Sequence, residues 1–158
     1  MSGAVHGRPV WRGRANFIVQ APVGDSSGFQ FEQLWARRDD ASGLYEVCCI
    51  PFFVYDLALG DMVSVRRDGV DVYTLDQVER PSGHMTFRVY FGDAADPVSS
   101  QSAVLQALLK APVLVERYSE NLVAVDISAD DSPQKLADYL AAEEGQGNLT
   151  YETGRTAP

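Results

Sequence analysis

From His84 to Phe91 the chain alternates in polarity without a break. His84, Thr86, Arg88 and Tyr90 fall on one side, Met85, Phe87, Val89 and Phe91 on the other. Side chains along a strand point to opposite faces in turn, so this stretch is a strand with one apolar face and one functionalised face. The turn residues Pro81, Ser82 and Gly83 lead into it. The apolar face needs a packed layer, and the fate of the other face decides what the protein can do.

The sequence downstream supplies the layer. In "SSQSAVLQALLKA" Val104, Leu105, Leu108 and Leu109 recur at helical spacing, after the break "DP" at 96–97. Ser99 or Ser100 is the expected N-cap and Pro112 the stop. "DDSPQKLADYLAAEEGQG" predicts a second helix, opened by Asp131 or Ser132 with Pro133 in the first turn and ended at Gly145 or Gly147. "VLVERY", "LVAVDIS" and "NLTYET" read as strands. From His84 onward the order is β-α-β-β-α-β, the ferredoxin-like pattern. A right-handed crossover sets the His84 strand beside "LVAVDI" in the sheet centre, with both helices on one face. Val123, Val125 and Ile127 then join Phe87 and Val89 under the helices. Ala124 and Asp126 share the opposite face with His84, Thr86, Arg88 and Tyr90. Asp126 is the expected partner of Arg88, with Glu116 and Asp61 as the other carboxylates.

The first half has a different rhythm. "NFIVQA", "FQFEQLWARR", "LYEVCCI", "MVSVRR" and "VDVYTLDQV" are short strands with no helix between them. "DDASG" (39–43), Gly60-Asp61 and Asp68-Gly69 are the turns. Short strands at this spacing predict a small curled barrel. The expected organisation is therefore α+β: a disordered basic tail (1–15), a small β-barrel-like subdomain (16–80), a ferredoxin-like half (81–153) and a short tail (154–158).

Charge narrows the function classes. The net charge is −9. Arg8, Arg12 and Arg14 all lie in the first fifteen residues, so the remainder carries 10 basic against 22 acidic residues, or −12. Such a body repels phosphate, which argues against nucleic-acid binding. No apolar run reaches the roughly 20 residues of a membrane span, and no secretory h-region follows the N-terminus. Cys48 and Cys49 are adjacent on an expected strand and point apart, which disfavours a mutual disulfide; a reducing cytoplasm fits. With two histidines and no Cys/His cluster, no metal site is expected. No phosphate loop or hydrolase motif is present, and no cofactor is implied.

Four motifs, Trp35 after "EQL", "IPFF" at 50–53, "GDMV" at 60–63 and "SGHMTFRV" at 82–89, together resemble a bacterial family catalogued as domain of unknown function 4265. The likeness covers roughly residues 16 to 153. It implies a cytoplasmic bacterial protein whose signature positions include Trp35, Pro51, Phe52, Phe53, Gly60, Asp61, Gly83, His84, Thr86 and Arg88. It implies no activity.

The candidate binding residues are His84, Thr86, Arg88, Tyr90, Asp61, Phe52, Phe53 and Trp35. A His, a Thr hydroxyl and an Arg on one strand face could serve an anionic ligand, or equally cap a turn and form an ion pair. Asp61 could sit with Asp56 at a barrel mouth, although an Asp in "LGD" more often accepts N–H bonds from its own turn. "IPFF" could wall a pocket or plug the seam between the halves. Neither His84 nor His6, the latter in the expected tail, gives Cys48 or Cys49 a base at a defined spacing, so a cysteine enzyme is disfavoured. The leading expectation is a non-enzymatic cytoplasmic protein that engages a protein partner through its acidic surface. The alternatives are a small-molecule binding module with a pocket between barrel and sheet, or a small enzyme using His84 and Arg88. In each case the polar face of the His84 strand is expected at the junction of the two halves, beside "IPFF".

Overall fold

The structure, a computed structural model, describes residues 3–24, 28–92 and 97–156. It is α+β, with two sheets and two helices. The first sheet contains β1 (Gly3–Ala4), β2 (Phe17–Pro22), β3 (Phe31–Arg38), β4 (Tyr45–Val47), β5 (Met62–Gly69) and β6 (Val72–Arg80). Its order is β1-β3-β2-β6-β5-β4, and a further β3–β4 pairing closes β2 to β6 into a five-stranded barrel. Closure demands strong curvature. Three register shifts between β5 and β6, at Met62/Val63, Ser64/Val65 and Arg67/Gly69, supply it, since a bulge bends a strand and deepens its twist. Val19, Ala21, Leu34, Ala36, Val47 and Val63 fill the interior, the two alanines fitting a narrow lumen.

The second sheet contains β7 (Met85–Tyr90), β8 (Val113–Arg117), β9 (Leu122–Ile127) and β10 (Thr150–Thr153) in the antiparallel order β10-β7-β9-β8. The helices α1 (Pro97–Leu109) and α2 (Pro133–Gly145) follow β7 and β9. Val104 and Leu108 of α1 and Leu136 and Leu140 of α2 share one buried cluster with Phe87, Val89, Val123, Val125 and Ile127, so both helices cover the same face. Each large apolar side chain buried there contributes roughly 1.5–3 kcal/mol. Ser132 caps α2, its hydroxyl accepting from the Lys135 amide, and Pro133 follows in the first turn. The α1 helix already runs from Pro97, ahead of the expected caps Ser99 and Ser100, whose side chains lie outside the described residues, as does Asp96.

The other face of the second sheet is covered by the segment between β4 and β5. Ile50 and Phe52 pack on Ala124 there, so "IPFF" closes the seam between barrel and sheet.

Four expectations are corrected. Residues 3–15 are no disordered tail. Gly3 and Ala4 pair in parallel with Phe31 and Glu32, Arg12–Arg14 form a 3-10 turn, and His6 is 5% exposed. Charge and Gly/Pro content concealed this, because the contacts are single side chains without periodicity. Residues 154–156 are likewise anchored: the Gly154 amide donates to the Thr86 carbonyl, and the Thr156 amide and hydroxyl to Asp56. Cys48 and Cys49 lie beyond the end of β4, and both are free and buried. The β5–β6 turn falls at Val70-Asp71, where Asp71 takes a φ of 59°, not at Asp68-Gly69.

Candidate functional site

The parity of β7 brings Thr86 and Arg88 to the seam face, and register then sorts their partners. Thr86 lies opposite Asp126 on β9, while Arg88 lies between Ala124 on β9 and Glu152 on β10. The expected Arg88–Asp126 pair, and its alternatives at Asp61 and Glu116, are therefore not formed. Arg88 is 3% exposed. Its Nε donates to the Pro51 carbonyl (3.4 Å), its Nη2 to the Val54 carbonyl and its Nη1 to Glu152 Oε1 (3.4 Å). The Tyr55 ring lies 4.8 Å from the guanidinium carbon. Arg88 thus ties down the loop that covers the seam.

Asp126 is held by His84 instead. Nδ1 of the imidazole sits 2.8 Å from Oδ2 and 3.0 Å from Oδ1, donating to the carboxylate. Burial pushes the Asp126 carboxyl up from its ordinary range, and the charge of Asp61 adds to this, against the opposing pull of His84. With Nδ1 committed, Nε2 is the ring's remaining valence. The edge of Trp11, 6.0 Å away, flanks the ring.

Beside this couple is a cavity of about 260 Å³ between barrel and sheet. Its barrel wall is Asp56, Leu57, Ala58, Asp61, Val78 and Pro81; its sheet wall is Gly83, His84, Met85, Thr86, Gly154 and Arg155. Asp61 accepts from the Ala58 amide (2.9 Å) and the Ser82 amide (2.7 Å), the turn role expected of it, while also facing the cavity. Thr86 is 2% exposed, and its hydroxyl is the single buried side-chain polar atom among the described residues without a hydrogen bond. An unmet hydroxyl in that setting costs about 1–3 kcal/mol.

A second polar centre lies behind the seam, built on His6, Glu32 and Glu116. His6 Nε2 donates to Glu32 Oε2 (2.6 Å) and Nδ1 to Glu116 Oε1 (2.8 Å), and the ring stacks on Phe52 at 4.2 Å. Glu32 also accepts from the amides of Phe52 (2.7 Å), Phe53 (3.0 Å) and Val54 (3.1 Å). Glu116 accepts from Ile50 (2.6 Å) and Val10 (3.3 Å). Two carboxylates and one imidazolium leave a negative excess, which these five amides share. Burial alone would lower the His6 pKa; the hydrogen bonds to Glu116 and Glu32 oppose it, and the value is pushed up to about 12. Burial likewise opposes ionisation of Glu32, and the bond to His6, its charge and the amides hold that carboxyl below its ordinary range. Burial drives the Cys49 thiol up, so it stays protonated. Both ring nitrogens are consumed, and among the described residues no group of three or more such side chains could hold a metal ion. The centre fastens the fold.

The structure thus brings His84, Thr86 and Asp61 together at the cavity. Arg88 and Phe52 belong to the closed seam behind it. Phe53 joins Phe52 and Tyr118 in an aromatic cluster. Trp35 donates its indole N–H to the His6 carbonyl (3.2 Å) beneath the Arg12 guanidinium. Tyr90, 44% exposed at the far end of β7, stands apart from all of them. Glu32 had a signal: it shares the parity of Leu34 and Ala36, both buried. Arg155 and His6 had none.

Residues 32–151 match the family described as "Domain of unknown function (DUF4265)". No curated protein matches the chain. A solved structure described as a hypothetical protein from Neisseria gonorrhoeae is similar in fold, with a TM-score of 0.74 at 20% identity, over 88% of this chain and 94% of that one.

Proposed function

The chain belongs to the DUF4265 family, whose description assigns no activity, and from that starting point we propose that it is a small-molecule binding module with its pocket between barrel and sheet. The observation that carries this reading is the unpartnered Thr86 hydroxyl beside the 260 Å³ cavity that His84 and Asp61 also line. Binding sites of this kind combine apolar walls with a few convergent polar groups, and Leu57, Val78 and Met85 provide the walls. We assign no reaction to the His84–Asp126 couple, because Arg88, the other group of the enzymatic reading, is spent on the seam. On our reading the second half is ferredoxin-like, after its strand order, and the protein works in the cytoplasm, where two free cysteines persist. No helix among the described residues is long and apolar enough to cross a membrane.

The test is an amide-resolved NMR screen of the full chain against a metabolite library. A binder is expected to move the amides of 56–61, 83–86 and 154–155 and to lose affinity in Thr86→Val. A library that moves none of these amides overturns the reading. A second reading, engagement of a basic protein partner through the acidic surface, is favoured by the charge of −9 together with the engagement of the N-terminal arginines: Arg12 stacks on Trp35 and Arg14 pairs with Glu46 at 2.6 Å.

A further inference from the structure

The two walls of the cavity differ in charge. On the barrel side stand the carboxylates of Asp56 and Asp61. On the sheet side stand Arg155, His84 and Thr86. Both aspartates are held in place by hydrogen bonds: Asp61 by the Ala58 and Ser82 amides, Asp56 by Thr156. A carboxylate offers about four lone-pair sites, so each keeps acceptor capacity for a ligand. Asp126 holds His84 Nδ1 from behind, and Arg155 is the guanidinium at the cavity. Asp56 acts on Arg155 only through its charge, with no ion pair between them within 4.0 Å among the described residues.

We propose that this cavity takes a zwitterionic α-amino acid, an inference that rests on the pocket reading above and names its ligand class. The ligand ammonium donates to Asp61 and Asp56. Its carboxylate accepts from Arg155. The side chain lies against Leu57, Val78 and Met85. A simple anion would meet Asp56 and Asp61 with one guanidinium to offset them, and a simple cation would leave Arg155 unmet. A volume of about 260 Å³ equals that of roughly nine liquid waters, room for any common amino acid.

The experiment titrates the full chain with each of the twenty common L-amino acids by NMR and calorimetry. The best binder is then compared with its decarboxylated amine and its deaminated acid. At least one amino acid is expected to saturate shifts at 56–61, 83–86 and 154–155. Each single-charge analogue should bind about tenfold or more weakly, the loss of one charge-assisted contact. Asp56→Asn and Arg155→Gln should each weaken binding by a similar factor at unchanged melting temperature. Asparagine suits Asp56, whose φ of 61° few other side chains tolerate. If none of the twenty binds, or if either analogue binds as well as the amino acid, the inference is overturned. In that event, a different metabolite moving the same amides leaves the pocket reading standing, and a silent library removes both.

Discussion

Glu32 and Glu116, on strands of two different sheets, hold opposite nitrogens of one imidazole, that of His6. The ring is a cross-brace between barrel and sheet, and taking it away strands two buried carboxylates. His6→Ala should therefore cost roughly 3–5 kcal/mol, the penalty for breaking a buried ion pair from one side. Urea melts of the variant measure this, and a loss under 1 kcal/mol would show the brace to be dispensable.

The same cluster sets a pH dependence. The folded-state pKa of His6 is raised from 6.5 to about 12, so its contribution is whole below pH 6.5 and drains away as pH climbs toward 12. That of Glu32 is lowered, so its contribution is whole above its ordinary 4.5 and is lost as pH falls below it. The cluster supports the fold best between about pH 4.5 and 6.5. Above that window stability should fall with a slope of up to about 1.4 kcal/mol per pH unit, the limit for one proton. Melts from pH 6 to 9 read the slope, and it should vanish in His6→Gln.

Thr86→Val should behave in the opposite sense to most core polar substitutions. The methyl replaces a hydroxyl that has no partner, so the variant should be as stable as the parent or more stable by about 1 kcal/mol. Thermal melts in the absence of ligand check this. Clear destabilisation would mean that the hydroxyl is already satisfied in solution.

Arg88→Ala should cost about 3 kcal/mol, because the Pro51 and Val54 carbonyls lose their donors inside the seam. Glu152→Gln should cost under 1 kcal/mol, since the Glu152 side chain is half exposed. Paired denaturant melts separate the two. Equal losses would mean that the ion pair, and not the carbonyl contacts, holds Arg88.

Periodic features were legible in the sequence. The alternation of β7 gave its two faces, and the apolar spacing of α1 and α2 put both helices on one of them. The junction beside "IPFF" followed from the leftover polar face. What escaped was register and single contacts. Residue types alone could not say that Arg88 meets Ala124 on one side and Glu152 on the other, which hands Asp126 to His84. The burial of His6 had no periodic trace, because one imidazole between two strands leaves no pattern in its own segment. Of the cavity, the alternation of β7 and the "LGD" turn point to His84, Thr86 and Asp61. Arg155 was assigned to a tail, since its position depends on the backbone bond from Gly154 to Thr86.

His6 and Glu116 are 110 positions apart along the chain. A contact that distant closes a very large loop of chain, and its entropy cost is repaid only when both sheets are in place. Until it forms, Glu32 and Glu116 lack their counter-ion and neither sheet has a finished buried face. The barrel and the helix-backed sheet thus share one buried brace, and they should melt in one cooperative transition, not as two units with separate midpoints.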